Sequence, residues 1–248
     1  MGILEFEPVS GSLLATLFSW AMTALGAATV YCFRKVDGKW LDSLLGFGAG
    51  VMLAASFWSL LLPAIERSGG WFIPALGLLM GGLFIQISEH CLDFSTLLKK
   101  NPSGKRNVLL VLAVTLHNIP EGMAIGVAFA LEQGSAPWIL ALGIGLQNLP
   151  EGAAVSLPLR KEGISARKSF FLGQASGFVE LLSALFAVLI AIKVSMFLPF
   201  LLAFSAGAMM VVIAGELLPE AAIGNKQECV RGFLLGFLLM MALDVALG

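Results

Sequence analysis

The chain has 248 residues, 58% of them hydrophobic and 12% charged, with a formal net charge of −1. A soluble domain carries about a quarter charged residues, so this chain lacks the polar surface to face water and is expected to lie mostly in lipid. With a net charge of −1 no basic excess argues for nucleic acid, and the three cysteines have neither metal-knuckle nor disulfide-framework spacing.

The opening "MGILEFEPVSG" is acidic and lacks the positive start of a cleaved signal peptide, so the first apolar stretch is expected to be retained. A bilayer core takes about 20 apolar residues as a helix. The apolar stretches predict eight transmembrane helices, near 11–33, 41–63, 71–91, 107–131, 137–159, 168–192, 196–218 and 230–247. The whole chain, 1–248, reads as a single all-α integral membrane domain. Span two contains "AGVMLAASFWSLLLPAIE", with Met52 inside it and Glu66 at its end. Span three ends in "SEHCLD", which offers Glu89, His90, Cys91 and Asp93 at a membrane face. Spans four and five carry "LHNIPEGMAIG" and "LQNLPEGAAVS". Span six holds "ASGFVE", ending at Glu180; span seven holds Glu216 and Glu220 near its end; span eight holds Asp244.

Orientation follows from Lys and Arg. Those at 34, 35, 39, 99, 100, 105, 106, 160, 161, 167, 168, 226 and 231 all fall in the loops after spans one, three, five and seven. Only Arg67 and Lys193 fall on the opposite side. This bias predicts both termini outside the cytoplasm, with Cys32, Cys91 and Cys229 near the reducing side, where disulfides are rare.

Spans two and seven share a pattern. Each reads Ala-Gly-x-Met, at 49–52 and at 206–209, and each reaches Leu-Pro soon after, at Pro63 and Pro219. The two spans run in opposite directions. An inverted repeat of about 11–91 onto 168–247, around a central pair within 107–159, would produce this pattern. Such repeats are a transporter signature with the substrate near the midplane. Chance is the alternative, since small residues and Leu-Pro are common in membrane helices.

His117 and Glu121 are four residues apart and share one helix face, as do Gln147 and Glu151. Asn118 and Asn148 sit one residue further round, about 100° away. Pro120 and Pro150 cannot donate to the carbonyls of Leu116 and Leu146, and Gly122 and Gly152 allow another backbone close by. An uncompensated acid at the bilayer centre costs roughly 2.5–3.5 kcal/mol on translocon scales. A divalent cation supplies the missing charge, and imidazole with carboxylate suits Zn²⁺, Fe²⁺, Mn²⁺ or Co²⁺ better than Mg²⁺. Taken singly, a midspan His or Glu also fits a structural hydrogen bond or a proton relay. The repeated Asn-x-Pro-Glu-Gly core favours the metal. An intramembrane metalloprotease would carry His-Glu-x-x-His on one helix; here the two histidines, His90 and His117, lie in different spans, so no enzyme is expected. A channel-like cation conduit is the alternative within transport.

"HNIPEG" and "QNLPEG" in successive spans resemble the Zrt-, Irt-like protein (ZIP) family of divalent-metal transporters, in particular its bacterial GufA-type branch. The resemblance covers essentially the whole chain, including "GAGVMLAASFWSLLLPAIE" and "ASGFVE". It implies eight spans arranged 3+2+3, a homodimer, and metal movement, usually of Zn²⁺, into the cytoplasm across a bacterial inner membrane. It further implies a two-metal site that shares Glu121 and Glu151, with His117, Asn118, Gln147, Asn148 and Glu180 as ligands and Met52 as a candidate thioether ligand. The metal is then cargo rather than cofactor, with Cd²⁺ a further candidate. Glu66 and Asp244 are candidates for the way in, and Glu89, His90, Asp93, Glu216 and Glu220 for release. Two departures stand out. Many members have histidine where this chain has Gln147, and the loop at 92–107 is short and basic rather than histidine-rich.

Overall fold

The computed structural model describes residues 2–32, 38–93, 102–131, 134–161 and 163–247, and every regular element among them is helical. In chain order these are α1 (Gly2–Cys32), α2 (Gly38–Ala55), a π-helical turn (Ser56–Leu61), α3 (Leu62–Ser68), α4 (Phe72–Asp93), α5 (Pro102–Leu131), α6 (Ala136–Lys161) and α7 (Ala166–Lys193). A short 3₁₀ turn (Ser195–Phe197), α8 (Leu198–Val212), a second π turn (Ile213–Leu217) and α9 (Leu218–Leu247) complete the chain. α2, the first π turn and α3 form one continuous rod, the expected span two.

The helix ends have local causes. α1 begins at Gly2, well before the expected start near 11. α7 starts at Ala166 because the Ser165 side chain accepts a hydrogen bond from the Lys168 amide. α3 stops at Gly69, which takes the left-handed conformation at φ 63°. The expected loop between spans seven and eight is instead nearly helical, broken only at Asn225 (φ −123°, ψ 94°). There the Asn225 side chain accepts from the amides of Gln227 and Glu228 and restarts the helix. Its own amide donates to Asp42 of α2 at 2.7 Å, which ties this turn to the start of span two.

Both π turns precede a proline. The Leu62 amide donates to Phe57, and the Leu218 amide donates to Ile213, five residues back in each case. Pro63 and Pro219 come next; each lacks an N–H and would crowd the carbonyl four residues back, which a widened turn relieves.

The helices gather in two bundles. α1 lies along α6 and α7, and α5 lies along α7. α2 runs along α9, and α4 along α8. The bundles meet where α2 touches α6 and where α5 touches α8. In lipid no hydrophobic force draws helices together, so backbones approach through small residues. A Cβ on Gly50 would strike the Phe233 carbonyl, and one on Gly81 the Phe204 carbonyl.

Among the described residues, six helical stretches are long and apolar enough to cross a membrane: Glu7–Cys32, Gly38–Ser68, Val114–Leu131, Ala166–Lys193, Leu198–Leu217 and Ala221–Leu247. α4 contributes the shorter apolar stretch Phe72–Ser88. α6 does not qualify by composition, because it carries its polar motif and ends in Arg160 and Lys161. It is buried along most of its length, so its neighbours meet the lipid in its place. The outward apolar belt includes Leu182 and Phe186 of α7 and Leu235 and Leu238 of α9. Cys32 and Cys91 are exposed and Cys229 is buried, all as free thiols.

Candidate functional site

α5 and α6 continue as helices through Pro120 and Pro150. The motif glycines do what the sequence suggested: Gly122 lies against the backbone of Glu180 in α7, and Gly152 against the Thr23 carbonyl of α1. This close packing buries His117, Asn118, Glu121, Gln147, Asn148, Glu151 and Glu180 together with Met52.

The two motifs touch directly. Gln147 Nε2 donates to Glu121 Oε1 at 2.6 Å. His117 Nε2 lies 3.2 Å from Glu216 Oε1 in the second π turn, without hydrogen-bond geometry. This contact joins the two bundles at the site. Seven buried atoms of the motifs have no hydrogen-bond partner: His117 Nε2, both amide atoms of Asn118, Glu121 Oε2, Gln147 Oε1, Asn148 Oδ1 and Glu151 Oε2. A buried polar atom left unsatisfied costs about 1–3 kcal/mol. Nearly all of these atoms are lone-pair donors of the kind a cation attracts. Among the described residues no three His, Cys, Asp or Glu side chains converge as a ready cluster, and the amides of Asn and Gln make up much of the set.

Glu180 differs from the rest. Its Oε1 accepts from Asn148 Nδ2 at 2.7 Å and its Oε2 accepts from the Ser19 hydroxyl at 2.6 Å. Met52 sits one turn beyond Gly48, where an added Cβ would come 3.5 Å from Pro150 and 3.7 Å from Gln147 Cβ, so its helix borders the span-five motif.

The two candidates for the way in share one cavity. Glu66 and Asp244 line a cavity of about 260 Å³ together with Trp58, Ser59, Pro63 and Leu140. Asp244 Oδ1 accepts from the Ser59 hydroxyl at 2.6 Å, and its buried Oδ2 has no partner. On the opposite side, His90 is exposed near the end of α4. The side chains of Glu89, Asp93 and Glu220 lie outside the described residues.

Sequence reasoning missed Ser19, Ser59 and both π turns. Ser19 had a signal: Ser12, Thr16, Ser19 and Thr23 recur at spacings of one helical turn in an otherwise apolar span, and all four are buried. The π turns had a weaker one in the Leu-Pro pairs.

The profile described as "ZIP Zinc transporter" matches residues 97–244. "Zinc transporter GufA" of Myxococcus xanthus is 39% identical over 97% of this chain and 100% of its own length. "Zinc transporter ZIP11" of Bos taurus is 37% identical over 98% of both chains. "Zinc transporter ZIPB" of Bordetella bronchiseptica is 37% identical over 97% of this chain and 82% of its own. The chain therefore belongs to the ZIP family, and these relatives are consistent with its GufA-type branch. It is a multi-pass membrane protein of a metal-transporting, non-enzymatic family.

Proposed function

We propose that this chain carries Zn²⁺ into the cytoplasm through a two-metal site at the bilayer midplane. The observation that carries the reading is the set of buried polar atoms without a hydrogen bond on His117, Asn118, Glu121, Gln147, Asn148 and Glu151, gathered on two contacting helices of a membrane protein. Cations would supply the missing partners. Glu121 and Glu151 are shared between the ions; His117 and Gln147, with Met52 as a candidate, complete one position, and Asn118, Asn148 and Glu180 the other. Asp244 and Glu66 gather the ion at the outer mouth. Glu216, which already touches His117, begins the way out, with Glu89, His90, Asp93 and Glu220 further along.

The fold reading is a 3+2+3 inverted repeat. Exchanging span one for six, two for seven, three for eight and four for five turns the α1–α6 pair into α7–α5, and α2–α9 into α8–α4. All of these pairs occur. The π turns of spans two and seven also exchange. The homodimer and the bacterial inner membrane rest on the family resemblance, and the external termini on the distribution of Lys and Arg.

The test is uptake by vesicles holding the purified protein, comparing Zn²⁺ with Cd²⁺, Fe²⁺, Mn²⁺ and Co²⁺. Saturable Zn²⁺ uptake is expected; flux that grows without limit marks a channel-like conduit, and no flux ends the proposal. For orientation, in a cysteine-free background, Ser135→Cys should react with an impermeant thiol reagent in intact cells and Gly104→Cys should not. The reverse pattern refutes the topology.

A further inference from the structure

Ser19 occupies an unusual place on α1. A serine in a membrane helix commonly bonds back to the carbonyl one turn before it. Thr16 does this, donating to the Ser12 carbonyl at 2.8 Å, and Thr23 donates to the Ser19 carbonyl at 3.4 Å. Ser19 instead reaches across to α7 and donates to Glu180 Oε2 at 2.6 Å. The same hydroxyl accepts from Asn148 Nδ2 at 2.8 Å, and Asn148 Nδ2 also donates to Glu180 Oε1. The three side chains form a closed ring joining α1, α6 and α7, and all three are buried.

The ring sets Glu180 apart. The other six polar side chains expected as ligands each keep a buried atom with no partner, whereas both Glu180 oxygens hold a donor. Each carboxylate oxygen has further lone pairs. The two donors, however, fix the plane of the carboxylate, and the electropositive side of the Asn148 amide already faces it. On the two-metal reading a cation at the asparagine-lined position requires Glu180 as a ligand, and so competes with the Ser19 and Asn148 donors that hold its two oxygens. The position lined by His117 and Gln147 has no such requirement.

We infer that Ser19 is a positioning residue that holds Glu180 back and so makes the second cation bind more weakly than the first. The inference rests on the two-metal reading above. Its test is Zn²⁺ titration calorimetry on the purified full-length protein, with bound zinc counted by elemental analysis and folding checked by thermal melting. Ser19→Ala should tighten the second dissociation constant about tenfold, the size of one charge-assisted hydrogen bond, and change the first by less than about twofold. Ser19→Gly should behave like Ser19→Ala, which separates loss of the hydroxyl from a packing effect. Ser19→Thr, which keeps a hydroxyl, should restore the wild-type value. A second affinity that is unchanged or weaker in Ser19→Ala, while wild type binds two ions, overturns the inference and leaves the two-metal reading standing. Wild type and Ser19→Ala both limited to one ion overturn the reading and the inference together.

Discussion

The two bundles share a construction and differ in content. Both are held by glycines against carbonyls: Gly152 meets Thr23 in the bundle of α1, α5, α6 and α7, and Gly50 meets Phe233 in the bundle of α2, α3, α4, α8 and α9. Among the described residues, however, every carboxylate, amide and imidazole side chain that is buried as a whole belongs to the first bundle, and the second fully buries only the hydroxyls of Ser56 and Ser205 and the Cys229 thiol. The second bundle offers its acids at the edges, Glu216 beside His117 and Asp244 in the cavity it shares with Glu66. Packing in lipid depends on close backbone approach and not on polarity. One architecture can therefore enclose a polar interior in one half and a nearly apolar one in the other.

The sharpest way to break this comparison is Glu121→Ala. Vesicle uptake of Zn²⁺ should fall to the level of vesicles without protein, with the variant inserted at wild-type amounts. Normal uptake would move the site out of the first bundle. Glu180→Ala should act less completely: bound zinc, counted by elemental analysis at saturation, should fall from two ions per chain to one, with transport reduced and not lost. Equal occupancy in variant and wild type would remove Glu180 from the ligands.

Packing should be alike in the two bundles. Gly152→Ala and Gly50→Ala each push a Cβ into a carbonyl that cannot move aside, so each should destabilise by about 1–3 kcal/mol. Gly215→Ala, with open space around it, should leave the thermal midpoint nearly unchanged. A large loss from Gly152→Ala with none from Gly50→Ala would mean that the bundles are not built alike. Among the transport variants, the smallest effect is expected from Asp244→Asn. Uptake should fall severalfold at low Zn²⁺ and recover at saturating Zn²⁺, because a charge at the mouth raises the local cation concentration without altering the site. A loss that persists at saturation would place Asp244 among the ligands.

The sequence by itself determined the helical class, the approximate spans and the polar faces of spans four and five. Each of these depends on residues close together in the chain: a run long enough to cross lipid, or a four-residue spacing that puts His117 and Glu121 on one face. It also marked Gly122 and Gly152 as points of close approach, though not what approaches them. Only the tertiary structure decided the partners. Ser19 and Glu180 are 161 positions apart, and Ser59 and Asp244 are 185 apart. A hydroxyl in an apolar helix carries no signal of what stands opposite it. The π turns escaped as well, because the Leu-Pro pairs mark a strained place in the helix without saying how the backbone relieves it. The polar content of α6 is likewise tolerable only because its neighbours cover it, a property of the packed molecule and of no segment within it.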